Sequence, residues 1–342
     1  MKQKLAILLI ACVTIVKSAT AQDKLDNPGN YMNAIGAAMA QMNKVYMSYI
    51  SAVAHNKRAK KIEKLRQQTV DAITNSKYAV IDLPIYKGDN DLRKSSIDYI
   101  GMTYKVFNED YAHIVNMEDI AEQSVDAMQA YLLLQEKTNE TLKAAYTKMS
   151  DAQKAFAAKY NVKMVDTKDD LSQKMDKANK VNHYHNQLYL TIFKCNWQTA
   201  KLMDALGKKK INDVEQSKSG LLKYAAEGFA VLDTTKGFEG DTALLAACRK
   251  VLVMYKSVGN DEVNKLSDYL LKNEEFAKTK KNYDAKAVKT KEDTDTYNNA
   301  IDQLNTAGNV YNKASVKMLT DMNNALTGWG NAENNFMKSY MP

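Results

Sequence analysis

The sequence predicts an all-α protein, in which two tandem antiparallel helical bundles follow a cleaved signal peptide. Proline occurs only at positions 28, 84 and 342, so almost the whole chain lacks the residue that most disfavours helix interiors. Apolar residues recur at three-to-four spacing, as in Tyr31, Ile35, Met39 and Met42. Stretches of the first half also recur in the second, which indicates an internal repeat.

The first residues are typical of an export signal. Lys2 and Lys4 precede the apolar residues 5–16, and Ala19-Thr20-Ala21 forms a small-x-small cleavage site. We therefore expect residues 1–21 to be a signal peptide and the mature chain to be exported, in the periplasm or on the cell surface. The apolar run is shorter than the roughly 20 residues of a spanning helix, and no later segment comes close, so we expect no transmembrane segment in the mature chain.

A lipid anchor is the alternative at this end of the chain. Leu9-Ile10-Ala11-Cys12 is similar to a lipoprotein box, in which Cys12 would be acylated. Apolar residues continue past Cys12 and a good Ala-x-Ala site follows, which favours ordinary cleavage.

Charge and cysteine content limit the possible partners. Removing residues 1–21 takes away three lysines and no acids, so the formal charge of +8 falls to +5, which argues against nucleic acid. Cys195 and Cys248 are the cysteines left, too few for a disulfide framework. We expect buried free thiols rather than a bridge.

The first repeat should contain four helices, which we call A to D. Asn27 should cap helix A, with Pro28 in its first turn, and Pro84 and Gly88 should mark the turn between B and C. Asp89 should cap helix C. The predicted ranges are 29–54 for A, 57–82 for B, up to 114 for C and 118–160 for D.

Two recurrences extend this pattern through the second half. Residues 79–82 and 104–105 recur 151 positions later, with the Gly88-Asp89 pair displaced by 152, and helix A of the second copy should end before Gly207. Residues 160–170 recur at 283–293, where Thr167 and Thr290 can each cap a following helix. The first recurrence has a spacing of 151 residues and the second a spacing of 123. The 28 residues lost between them predict a shortened C–D hairpin before Tyr283.

These recurrences predict the helix order A-B-C-D, A-B-C-D, A. The domains would be the signal peptide 1–21, bundle one at 22–166 and bundle two at 167–342. Bundle two would end in a third A-type helix from about 291 to 329.

The start of the mature chain also suggests a family. Asn27-Pro28-x-x-Tyr31-Met-Asn-Ala-Ile35 is followed by residues 47–58, Met-Ser-Tyr-Ile-Ser-Ala-Val-Ala-His-Asn-Lys-Arg. This stretch resembles a group of uncharacterised all-helical surface proteins of Bacteroidota and spirochaetes. The resemblance implies an exported helical protein and assigns no active-site residue.

A basic run opens helix B, where cations oppose the helix dipole. One interpretation is a surface for an acidic partner, either anionic lipid, polysaccharide or protein. The favoured interpretation is internal pairing with acids at the end of helix C, namely Glu109, Asp110, Glu118 and Asp119. In the second copy, Lys208, Lys209 or Lys210 would pair with Asp261 or Glu262. The run comprises Lys57, Arg58, Lys60, Lys61 and Lys64.

Two histidines should lie at the same end of bundle one. His55 and His113 fall near Glu109 and Asp110, and Asp110-x-x-His113 has the one-turn spacing of helical carboxylate–histidine metal sites. Such sites need the motif twice, and the second copy lacks it. We therefore expect partly exposed histidines at a helix junction, with a small-ligand or metal site as the alternative.

No catalytic motif accompanies this architecture. The sequence has no metalloprotease helix motif, Gly-rich phosphate loop, Cys pair at metal spacing or Gly-x-Ser-x-Gly. We predict an exported, non-catalytic interaction or structural protein of the cell envelope, without a cofactor. Its partner would be another envelope protein or an acidic surface polymer. The alternative function is a small-ligand or metal carrier that uses His55 and His113.

Overall fold

The computed structural model describes residues 25–54, 59–110, 121–164 and 170–342. These residues form α-helices joined by turns, with no β-strand among them, so the all-α prediction is confirmed. None of the helices in these ranges is long and apolar enough to cross a membrane. In chain order they are α1 Pro28–Ala54, α2 Ala59–Ile81, α3 Asp91–Lys105, α4 Val125–Lys159, α5 Asp170–Gly207, α6 Ile211–Thr234, α7 Ala243–Ser257, α8 Val263–Asp284 and α9 Lys291–Tyr340.

The chain divides into two compact units. Of the described residues, unit 1 comprises 25–54, 59–110, 130–164, 170–180 and 340–342, and unit 2 comprises 121–129 and 181–339. The predicted boundary between residues 166 and 167 lies outside the described residues.

The core of unit 1 contains the predicted apolar stripe of α1. Tyr31, Ile35, Met39 and Met42 are buried in one cluster with residues of α2, α3 and α4. Burying a large apolar side chain stabilises a fold by about 1.5–3 kcal/mol, so the spacing of this stripe determines which face of α1 turns inward.

A tight turn joins the second and third helices of each unit. In unit 1, Lys87 and Gly88 have φ of 47° and 82°, and an isolated antiparallel bridge joins Tyr86 to Asp89. Glycine suits the second position because it adopts positive φ without a steric cost. The Asp89 carboxylate accepts a hydrogen bond from the free Asp91 N–H at 3.0 Å, as predicted, although Asn90 and not Asp89 holds the N-cap position of α3.

Unit 2 contains the same turn 152 residues later. Glu239 and Gly240 have φ of 50° and 92°, and a bridge joins Phe238 to Asp241. The Asp241 carboxylate accepts a hydrogen bond from the Ala243 N–H at 2.7 Å. The two units therefore share the backbone conformation and the capping chemistry of this turn.

Burial shows that the predicted spacing of 151 is wrong by one or two residues. Buried Ile35, Met39 and Met42 of α1 match buried Leu188, Ile192 and Cys195 of α5 at a spacing of 153, while α3 and α7 begin 152 residues apart. At a spacing of 152, buried Thr69, Ile73, Ser76 and Val80 match buried Leu221, Ala225, Gly228 and Leu232. Common ancestry of the units stays a prediction.

The predicted element order also differs from the structure in its last part. The chain from Val263 to Asp284 is one helix, α8, without the C–D hairpin expected before Tyr283. Helices α7 and α8 therefore correspond to the predicted helix C, and α9 is the next helix along the chain. Phe336 of α9 packs on Tyr184 and Phe238, with ring centroids 5.5 and 5.3 Å apart, as Phe156 of α4 packs on Tyr31 and Tyr86. Helix α9 thus occupies the D position rather than that of a third A helix.

A recurring helix cap explains the wrong assignment. The Asp293 N–H donates to the Thr290 hydroxyl at 3.2 Å, and the Thr290 N–H donates to the Asp293 carboxylate at 3.0 Å. This reciprocal pair is a capping box, so capping of α9 by Thr290 is confirmed. Any loop that enters a helix can use the same chemistry, and its recurrence does not require equivalent positions. Thr167 lies outside the described residues.

Candidate functional site

The structure describes only part of the predicted histidine and basic sites. Lys61, Lys64 and Glu109 are exposed, and the backbones of Lys60 and Asp110 are helical. The ligand or metal site therefore stays a prediction, as does the pairing of the basic run. The predicted residues that lie outside the described ranges are His55, Lys57, Arg58, His113, Glu118 and Asp119.

In unit 2 the predicted cross-helix ion pairs do not match those in the structure. Lys208 pairs with Asp204 at 2.7 Å and Lys210 with Asp213 at 3.8 Å, both close in sequence. The other predicted partner, Glu262, has other cationic neighbours.

Glu262 is nearly fully buried and is paired with lysines of α8 and α9. Its carboxylate oxygens lie 3.1 Å from the Nζ atoms of Lys265 and Lys317. Glu262 ends the π-helix Val258–Glu262, whose wider turn changes the direction of the side chains that follow α7. The buried Glu262 is thus neutralised by Lys265 and Lys317 rather than by the lysines at 208–210 that precede α6.

Each unit places an acid and a base beside its π-helix. In unit 1, Glu63 forms an ion pair with Arg66 at 2.8 Å, and Arg66 donates to the Phe107 carbonyl at 3.0 Å within the π-helix Val106–Asp110. In unit 2, at a spacing of 152, Glu215 pairs with Lys218. Lys218 also donates to the Asn264 side chain at 3.0 Å, so the pairs connect neighbouring helices.

The described side chains form neither a metal-binding site nor a reactive thiol. In the part of the chain that the structure describes, no three His, Cys, Asp or Glu residues are grouped so that they could hold a metal ion. Cys195 and Cys248 are free and buried, as the sequence predicted. Burial raises the pKa of each thiol to about 12, so both stay protonated at neutral pH.

An aromatic cluster forms the end of unit 1 where α2 turns into α3. Tyr86 lies 4.9–5.1 Å, between ring centroids, from Tyr31, Phe156 and Tyr160. The Tyr86 hydroxyl donates to the Asp26 carbonyl and the Tyr31 hydroxyl to the Pro84 carbonyl, each at 2.8 Å. These bonds fix the turn against the start of α1.

Asp89 joins the same turn to the end of α4. Its carboxylate accepts from Lys159 Nζ at 2.8 Å and from the Tyr160 hydroxyl at 3.2 Å. The hydrogen bond from Lys159 holds the pKa of Asp89 below its usual range, although the partial burial of the carboxyl acts in the opposite direction. The turn is therefore fixed from two sides.

Three large apolar side chains on this fixed turn are exposed. Tyr78 is 61% exposed, Ile81 38% and Ile85 52%. Tyr78 and Ile81 are three residues apart on α2 and share a helix face. The guanidinium of Arg93 donates to the carbonyls of Ile81 and Leu83, which holds the backbone between them. We call Tyr78, Ile81 and Ile85 the tip patch.

The matching turn of unit 2 lacks this patch. At a spacing of 152, the positions of the tip patch carry Ala230, Asp233 and Gly237, and Asp233 forms an ion pair with Arg249 at 2.7 Å. The shared turn therefore does not require exposed apolar residues there. Sequence reasoning assigned no role to these exposed residues. The signal that could have found them is that Tyr78 and Ile81 fall off the helical spacing of the buried positions 69, 73, 76 and 80.

Comparison with known proteins adds no relative: no protein-family model, curated protein or solved structure matches this chain.

Proposed function

We propose that this chain is an exported helical protein of the cell envelope that acts by binding another envelope protein through the tip patch, without catalysis. Export is supported by the N-terminal pattern of Lys2, Lys4, an apolar run and the Ala19-Thr20-Ala21 site. The observation that carries the binding role is the exposure of Tyr78, Ile81 and Ile85 on a turn whose counterpart in unit 2 is small or polar.

The composition of the patch favours a protein partner over an acidic polymer. Tyrosine is enriched among the residues that dominate protein interfaces, and the two isoleucines provide apolar area that a polysaccharide does not match. Exposed charges, including those of Asp82 and Lys87, border the patch as a polar rim does in such interfaces.

The rigidity of the turn supports the same conclusion. Hydrogen bonds from Arg93, Tyr31 and Tyr86 hold the backbone on both sides of Ile85. A fixed surface loses little conformational entropy on association, so a small patch can contribute usefully to affinity. Replacing a central aromatic residue of such an interface costs about 2 kcal/mol or more in binding.

Photo-crosslinking in the cell envelope tests the proposal. A benzophenone side chain at position 78 should give a discrete protein adduct, while the same group at Ala230, the matching exposed position of unit 2, should not. Ile81→Asp together with Ile85→Ser should abolish the adduct at 78, because the aspartate places an uncompensated charge in the interface.

Two results would contradict the proposal. One is equal crosslinking at positions 78 and 230, and the other is an adduct that survives the double substitution. Amino-terminal sequencing of the protein from the envelope fraction tests export separately, with Gln22 expected as the first residue.

A further inference from the structure

A second surface lies in unit 2, at the end of the hairpin formed by α8 and α9. The last buried residue of α8 is Leu270 and the first of α9 is Ala307, so no residue of the described stretch between them is buried. The two helices pack on each other through rings, with Tyr283 and Tyr297 stacked at 4.6 Å and Phe276 5.7 Å from Tyr297. From Leu270 to the end of α8 the helix extends about 20 Å at 1.5 Å per residue.

The turn of this hairpin is strongly basic. Residues 278–293 contain six lysines and three acids. Two acids are already paired, Asp284 with Lys280 at 2.8 Å and Asp293 with Lys286. The third, Glu292, is exposed. Among the described residues, four lysines of the turn form no ion pair: Lys278, Lys281, Lys289 and Lys291.

One strongly exposed apolar residue lies between these lysines in the sequence. Val288 is 82% exposed, the highest value among the large exposed apolar side chains described, and it is flanked by Lys286 and Lys289. The turn around it is ordered, because Lys289 Nζ donates to the Lys286 carbonyl at 3.2 Å and lies 5.2 Å from the centre of the Tyr283 ring. The capping box at Thr290 fixes the other side.

We propose that this turn, residues 278–293, docks on the anionic headgroups of a phospholipid bilayer, with Val288 inserted among them. Lysines bind lipid phosphates electrostatically, and their long stems let the ammonium groups stay at headgroup level while an apolar neighbour goes deeper. An acidic polymer would satisfy the lysines but offers no apolar layer for Val288. This surface is separate from the tip patch, so the inference goes beyond the proposed protein partner.

Sedimentation with vesicles tests the inference on the chain from Gln22, which keeps every described residue. Vesicles of phosphatidylcholine with phosphatidylglycerol should bind the protein, and vesicles of phosphatidylcholine alone should bind it far less. Replacing Lys281, Lys289 and Lys291 by glutamine should weaken binding roughly 100-fold, which is about 3 kcal/mol at about 1.4 kcal/mol per factor of ten. Val288→Ser should weaken binding several-fold at unchanged charge.

A matched variant controls for net charge. Lys236→Gln, Lys250→Gln and Lys256→Gln remove the same charge from exposed positions of unit 2 outside the turn, and should bind vesicles as the unsubstituted protein does. Circular dichroism of each variant verifies that the helices are retained.

Several outcomes would overturn the inference. These are equal binding to both vesicle types, equal losses in the two triple variants, or an unchanged affinity of Val288→Ser. Binding to the soluble polyanion dextran sulfate without binding to vesicles would also overturn it and would indicate an acidic polymer as the partner. Failure here leaves the tip patch untouched, because the crosslinking test probes unit 1.

Discussion

Gly228 allows α6 to approach its neighbours closely, and its replacement by alanine should destabilise unit 2. A Cβ at this position would lie 2.6 Å from Thr191 Cγ2 and 2.8 Å from Leu252 Cδ1. Thr191 and Leu252 are themselves buried, and the Thr191 hydroxyl donates to the Gln187 carbonyl at 2.9 Å. The two neighbours can move away only by disturbing the packing around them.

Two opposing effects determine the size of the change. Alanine is favoured over glycine in a helix interior by about 1 kcal/mol. Overpacking a buried contact costs about 1–3 kcal/mol, and two contacts below 3 Å place Gly228→Ala toward the upper end. We expect a net loss of about 1–2 kcal/mol in the free energy of unfolding.

Gly328→Ala is the matched control in the same unit. Gly328 lies inside α9, and a Cβ there meets no atom within 4 Å, so only the propensity gain applies. Urea unfolding followed by circular dichroism should show a lower midpoint for Gly228→Ala and a slightly higher one for Gly328→Ala. If Gly228→Ala proved as stable as Gly328→Ala, the close approach of α6 described here would be wrong.

Three further predictions concern the turn, the thiols and the last helix. Asp89→Ala should destabilise unit 1 by about 1 kcal/mol through loss of its hydrogen bond from the Asp91 N–H alone. Because Lys159 lowers the pKa of Asp89, the stabilising effect of this carboxylate is present above the pKa of the unfolded chain and is lost as the pH falls through the folded value, which urea titrations at several pH values should show. Cys195 and Cys248, with pKa about 12, should not react with a thiol reagent at pH 8 until the protein unfolds. Thr290→Ala should weaken the start of α9 by about 1 kcal/mol, seen as faster hydrogen exchange in its first turn.

Each of these three has an outcome that would contradict it. A difference between wild type and Asp89→Ala that does not shrink in acid would show that the ionised carboxylate is not stabilising. Rapid labelling of the native protein would show that the thiols are accessible. Thr320→Ala, a mid-helix exposed control, should leave exchange at the start of α9 unchanged, and an equal effect of both threonine variants would argue against the capping box.

Much of the local structure followed from the sequence because it depends on local chemistry. The absence of proline from the helix interiors and the three-to-four spacing of α1 predicted helices with the correct buried face. Gly88, Asp89 and Thr290 have roles set by backbone geometry within a few residues, and these were predicted correctly. The burial of Cys195 and Cys248 followed from the apolar character of cysteine in a helical chain.

The register of the repeat and the position of the last helix depended on tertiary contacts. The similar stretches 79–82 and 230–233, which differ only in Ile81 and Leu232, suggested a spacing of 151. However, Ile81 is exposed where Leu232 is buried, and packing aligns the turns of the two units at 152. Helices of similar composition match almost equally well when shifted by one residue. Only the burial of specific side chains distinguishes the two alignments.

The candidate surfaces also depended on the assembled structure. The apolar chemistry of a tyrosine or isoleucine in a helix predicts that the residue is buried in the core. Tyr78 and Ile81 are exposed because no neighbouring helix covers them. Likewise, the lysines near Val288 lie on an exposed surface because α8 continues as one helix past Leu270, its last buried residue. Sequence determined that the chain is helical and which residues form the turn at Gly88 and the cap at Thr290. Tertiary packing decided which faces remain for partners, because exposure depends on helices that are distant along the chain.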